Sequence, residues 1–135
     1  MSRQRLDGKR ILIVDDDADI RGSIGLALRS EGAVTETVED GNAAVAAAAA
    51  ADHDAIVLDM MLPRRSGFLV LEKVKLMPDP PVVIMVTANE GRRHAAYAQS
   101  LGVDAYLNKP VPLHRLVDTL VRLLEADEHD EEEED

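Results

Sequence analysis

Five short apolar runs recur along the chain with longer, helix-compatible segments between them, and this rhythm restricts the fold more than any other feature. The runs are Arg10–Val14, Ala33–Val38, Ala55–Leu58, Val82–Val86 and Val103–Leu107. Four are nearly continuous in Val, Ile, Leu, Met or Ala, as strands are when both faces are covered. The second, Ala-Val-Thr-Glu-Thr-Val, is mixed and β-branched, which suits an edge strand. Asp17 or Asp19 is placed to cap a helix with an apolar stripe of Ile20, Ile24, Ala27 and Leu28, which Gly32 would stop. Ala43–Ala51 is almost pure alanine, the strongest helix former. Ser66 would cap a third helix through Phe68, Leu71 and Val74, ended before Pro78. Gly91–Ser100 forms a fourth, stopped by Gly102, and Pro112 opens a fifth with Leu113, Leu116, Val117, Leu120 and Leu124 on one face. Strand then helix, five times over, predicts an α/β fold with a parallel sheet and helices on both faces.

At 135 residues the chain is one domain by length, and 46% hydrophobic content supports a core. It has no cysteine, which excludes disulfides, thiolate metal sites and a thiol nucleophile and fits a reducing, cytoplasmic setting. No apolar run nears the roughly 18 residues of a membrane helix, and Met1–Arg10 does not look like a signal peptide. The net charge of −11 is concentrated at one end. Residues 125–135 hold nine acids and no Lys or Arg, and the rest of the chain is close to neutral. The expected division is an N-terminal extension (1–8), a folded domain (9–125) and a disordered acidic tail (126–135). The tail reads either as a solubilising end or as a docking segment for a basic partner. Direct nucleic-acid binding wants a basic face that this composition lacks.

In open parallel sheets, sites form beyond the carboxyl ends of the strands. Asp15, Asp16 and Asp17 follow the first run, and Asp59 the third. Thr87 and Ala88 follow the fourth, and Asn108, Lys109 and Pro110 the fifth. Aspartates from adjacent strands repel one another unless a cation balances them. A hard divalent ion such as Mg²⁺, with oxygen ligands, suits that arrangement. Together with an ammonium, a hydroxyl and an exposed carboxylate, it makes up the parts of a phosphoryl-transfer site, with Asp59 as the candidate nucleophile.

The segments Ile11-Leu12-Ile13-Val14-Asp15-Asp16-Asp17, Ile56-Val57-Leu58-Asp59-Met60-Met61-Leu62-Pro63 with Gly67, Val86-Thr87-Ala88 and Tyr106-Leu107-Asn108-Lys109-Pro110 stand in order, each at a strand end. In this the chain resembles a response regulator receiver domain of the CheY-like type over about residues 9–125. The resemblance implies a flavodoxin-like sheet of five parallel strands in the order 2-1-3-4-5. It implies that Asp59 accepts a phosphoryl group from a histidine kinase or phosphotransfer protein. Asp15, Asp16, Asp59 and the Met61 backbone carbonyl would hold Mg²⁺, with Asp16 the more direct of the acidic pair. Thr87 would bind the phosphoryl oxygens, Ala88 would leave them room, and Lys109 would pair with the phosphate. Lys109–Pro110 would be a cis bond, Tyr106 the aromatic switch, and Met61 and Asn89 would tune dephosphorylation. The output would be the surface of the fourth helix, fifth strand and fifth helix, read by a downstream protein. With no room expected after residue 125 for an output domain, the resemblance is to a stand-alone regulator, monomeric or dimerising on phosphorylation. It would be a switch rather than an enzyme, acting on neither nucleic acid nor membrane.

Two other functions compete. Asp15 and Asp17 mimic the Asp-x-Asp of aspartate-nucleophile phosphatases, but Asp19 stands where a small residue is expected. A degenerate receiver serving as a scaffold would have lost site residues, and none is missing. Asp17 reads as a helix cap, and Val111 stands where many relatives carry Phe. His53, His94, His114 and His129 show no metal-ligand spacing. Arg64, Arg65, Arg92 and Arg93 read as loop charges that would steer an acidic partner or meet the tail. Gly22 and Gly25 make no dinucleotide fingerprint.

Overall fold

The structure, a computed structural model, describes residues 4–64, 66–88 and 91–133. Five strands alternate with five helices: β1 (Arg10–Val14), α1 (Ala18–Ser30), β2 (Val34–Val38), α2 (Gly41–Ala50), β3 (Ala55–Asp59), α3 (Gly67–Lys75), β4 (Val82–Thr87), α4 (Arg92–Ser100), β5 (Ala105–Asn108) and α5 (Leu113–Glu133). The strands form one parallel sheet in the order β2-β1-β3-β4-β5. Both the fold class and the strand order match the expectation.

Successive strand residues point to opposite faces, so each central strand feeds two cores. Ile11, Ile13, Ala55, Val57, Ile84 and Val86 pack with α1 and α5. Leu12, Val14, Ile56, Leu58, Val83 and Met85 pack with α2, α3 and α4. That double duty is why these runs carry almost no polar residue. The caps are local chemistry. The Asp17 carboxylate accepts from the Asp19 and Ile20 N–H groups (2.9 and 3.1 Å), and Asp40 caps α2 through the Ala43 N–H (2.8 Å). Ser66 caps α3 through Leu69 (3.4 Å). Gly32, at φ +93°, takes the chain out of α1 where a side chain would be strained.

Three boundaries differ from the sequence reading. Residues 5–8 are not an appendage: Leu6 is fully buried in the core on the α1/α5 side. Its N–H donates to the Glu31 carbonyl (2.8 Å), Gly8 N–H donates to Gly32 (3.1 Å), and Arg5 pairs with Asp118 of α5 at 2.6 Å. One leucine in a polar stretch has no periodicity to betray it. Secondly, β5 starts at Ala105 and is a half-buried edge strand rather than a fully covered one. Val103 N–H instead closes the end of α4 on the Ala98 carbonyl (3.1 Å), and Asp104 N–H reaches Val83 (2.9 Å). Thirdly, α5 does not stop at 125 but continues to Glu133. A helix already nucleated by packed turns adds further turns without a new nucleation cost. No helix among the described residues is long and apolar enough to cross a membrane.

Candidate functional site

The parallel register brings the polar strand ends together. Val14 pairs with Leu58, Asp59 with Val86, and Thr87 with Asn108, so the residues just beyond them share one end of the sheet. Asp15, Asp59 and Thr87 are buried there, while Asp16 is exposed at the mouth. Carboxylate oxygens of Asp15, Asp16 and Asp59 lie within 4.8 Å of one another. Lys109 Nζ donates to Asp15 Oδ2 at 2.9 Å and stands 3.6 Å from Asp59 Oδ2. Its own N–H donates to the Thr87 carbonyl at 2.7 Å, and the Lys109–Pro110 bond is cis.

The electrostatics follow from this crowding. Burial, then the charge of Asp15, pushes the Asp59 carboxyl above its ordinary pKa, while Lys109 and the Met61 N–H (3.2 Å) pull the other way without cancelling the rise. At Lys109 burial works against the charge, but the hydrogen bond to Asp15 and the fields of Asp59 and Asp15 outweigh it, and the net shift is upward. One ammonium thus faces three carboxylates. A hard divalent cation fits the remaining deficit, and all three donors are oxygens of the kind Mg²⁺ takes.

Other expected residues fall around this centre. Tyr106 is partly buried, its hydroxyl hydrogen-bonded with Thr87 and 3.6 Å from Met60 Sδ, and burial raises its pKa. Met61 is exposed and Ala88 lies at the open end of β4. Val111 packs against the α1/α5 core. Asn89 and Arg65 lie outside the described residues. Asp17 is accounted for by its cap. His53 pairs with Glu36 (2.9 Å), and His94 stacks on Phe68 (5.9 Å between ring centres), away from any ligand set. Arg64 pairs with Asp40 (3.6 Å), and Arg92 and Arg93 are exposed at the start of α4.

Of two further residues at the site, one was marked by the sequence without its reason and one escaped it. Gly67 lies so close to the β3 end that a Cβ there would sit 2.5 Å from the Asp59 carbonyl oxygen and 2.7 Å from Met60 Cα. Its place in a matched segment marked it, but nothing in the sequence states why. Arg21, one turn into α1, donates to the Asp15 carbonyl at 2.7 Å; no sequence signal distinguishes it from any other helix arginine.

The family model described as the response regulator receiver domain matches residues 11–121. The chain belongs to that family. This receiver domain is 38% identical over 112 residues to the transcriptional regulatory protein TcrA of Mycobacterium tuberculosis, an alignment covering 83% of the chain and 44% of that protein. It is 35% identical over 123 residues to the probable transcriptional regulatory protein TcrX of the same organism, covering 90% and 53%. The chain therefore spans about half the length of these curated relatives. Among solved structures, a CheY-like receiver domain protein from Methanospirillum hungatei superposes with a TM-score of 0.87 at 31% identity, covering 92% of this chain and 99% of that one. The receiver domain of a sensor histidine kinase from Pseudomonas aeruginosa, with magnesium coordinated in its active-site cleft, superposes at 0.79 with 29% identity, covering 87% and 98%.

Proposed function

We propose that this receiver domain is a phosphorylation-driven switch in which Asp59 accepts a phosphoryl group from the phosphohistidine of a kinase or phosphotransfer protein. A carboxylate oxygen of Asp59 attacks phosphorus, the N–P bond breaks, and the bonding pair returns to the imidazole, which takes up a proton. The product is an aspartyl phosphate. The observation that supports this most is the meeting of Asp15, Asp16 and Asp59 within 4.8 Å around a lysine already paired to two of them.

Asp15, Asp16, Asp59 and the Met61 carbonyl would hold Mg²⁺, which when bound supplies positive charge for the ionised Asp59 and the incoming phosphoryl oxygens. Lys109, its ammonium favoured by its neighbours, is positioned to pair with the phosphate. Ala88, with no side chain beyond Cβ, leaves the mouth open. A hydroxyl can donate and accept at once. Thr87, hydrogen-bonded with the Tyr106 hydroxyl, can therefore turn its own O–H to a phosphoryl oxygen, and the change in that pairing would reach the α4–β5–α5 face. That face is the output surface, read by a downstream protein. Incubation with Mg²⁺ and acetyl phosphate tests the reading. Intact mass should rise by one phosphoryl group and should not rise for Asp59→Ala; an equal gain in the variant overturns it.

A further inference from the structure

Arg21 lies outside every segment that carries the family resemblance, yet it contacts the acidic loop directly. Its Nη1 donates to the Asp15 backbone carbonyl at 2.7 Å. Its Nη2 lies 3.8 Å from Glu39 Oε2, just past β2, and the arginine side chain is only 18% exposed. The Arg21 N–H donates to the Asp17 carbonyl at 3.0 Å. The Arg21 side chain therefore holds the Asp15 end of the acidic segment, while the helix backbone holds the Asp17 end. From the other side, Asp15 N–H reaches the Val38 carbonyl (3.3 Å) and Asp17 N–H donates to Asp15 Oδ1 (3.0 Å).

The choice of partner matters chemically. A guanidinium ordinarily takes a carboxylate as a two-pronged partner. Had Arg21 done so with Asp15 or Asp16, it would compete with any cation for the same lone pairs, as Lys109 already does at Asp15. By taking the carbonyl instead, it orients the Asp15–Asp16 peptide plane and leaves the acidic oxygens available. We propose that Arg21 is a positioning residue that braces the Asp15–Asp16 peptide, so that both carboxylates meet Asp59 at the divalent-cation site; this rests on the metal reading given above.

The two effects of Arg21 on a cation have opposite signs, which makes the idea decidable. Its positive charge repels Mg²⁺, so through the field alone Arg21→Met should bind Mg²⁺ more tightly. Loss of the brace should bind it more weakly, by roughly tenfold, since residues that orient metal ligands typically count for 10–100-fold in affinity. Mg²⁺ titration of the whole chain, followed by amide NMR of residues 15–17 with the metal-free melting temperature measured in parallel, reads the difference. The expected result is about tenfold weaker Mg²⁺ binding in Arg21→Met, displaced Asp15–Asp17 amide signals even without metal, and partial recovery in Arg21→Lys. Unchanged or tighter binding in a folded Arg21→Met overturns the brace. If that variant fails to fold, Arg21→Lys decides: with one donor centre in place of the fork it should bind Mg²⁺ measurably more weakly, and wild-type affinity overturns the proposal. If the unmodified chain itself takes up no Mg²⁺, the metal reading falls, and the brace then stands or falls on whether the metal-free amides of Asp15–Asp17 move in either variant.

Discussion

Asp59 carries a charge that its surroundings disfavour, and this has a measurable sign. Its folded pKa is raised by burial and by Asp15, so between the unfolded and folded values the native state holds the proton more tightly. The resulting stability is present below the ordinary carboxylate range and is lost as pH rises through the folded value. Asp59→Asn should therefore raise the melting temperature of the metal-free protein at pH 7, and the gain should vanish in acid; a lower melting temperature at pH 7 would contradict the argument. Lys109→Met is the converse. It leaves Asp15 and Asp59 facing each other without their ammonium, and should cost about 1–3 kcal/mol by urea denaturation at pH 7, a deficit that shrinks as the acids protonate. Gly67→Ala places a methyl group against backbone rather than a yielding side chain. A loss of about 1–3 kcal/mol, with slower phosphorylation at the displaced Asp59 loop, should follow.

The elements show what the linear sequence could and could not disclose. β1, β3 and β4 were legible because burial on both faces leaves a run with almost no polar residue, and Asp17 and Ser66 were legible as caps because the N–H groups that donate to them lie two or three residues ahead. The start of β5 was not, because Val103 and Asp104 serve the end of α4 and the sheet edge before the strand begins. Leu6 was invisible for a related reason: the Glu31 carbonyl that it donates to, and much of the core cluster that it joins, lie far along the chain. Leu6→Ala should cost about 2–5 kcal/mol, as a filled core position does, in thermal or urea unfolding. A loss no larger than that of a surface substitution would show that residues 5–8 are an appendage after all. The site residues themselves were readable because each follows directly on an apolar run. Arg21 was not, since only the fold places it on the Asp15 carbonyl.

At the scale of the whole molecule, a nearly neutral α/β body carries buried acids at one end of the sheet, and the surplus acids follow one another in sequence from residue 125 to 135. Leu124 packs in the core, Glu125 and Ala126 after it are exposed, and the sequence beyond them carries charge and no large apolar residue. Removing residues 126–135 should change stability by no more than about 1 kcal/mol, the scale of a surface change, while lowering helical circular dichroism. The most direct check of the central claim is chemical. The chain would be treated with acetyl phosphate and Mg²⁺, any acyl phosphate reduced with borohydride, and the modified residue located by peptide mass. The account predicts a single site, Asp59 converted to homoserine, abolished when the divalent ion is chelated; modification at another residue, or none with the ion present, would contradict it.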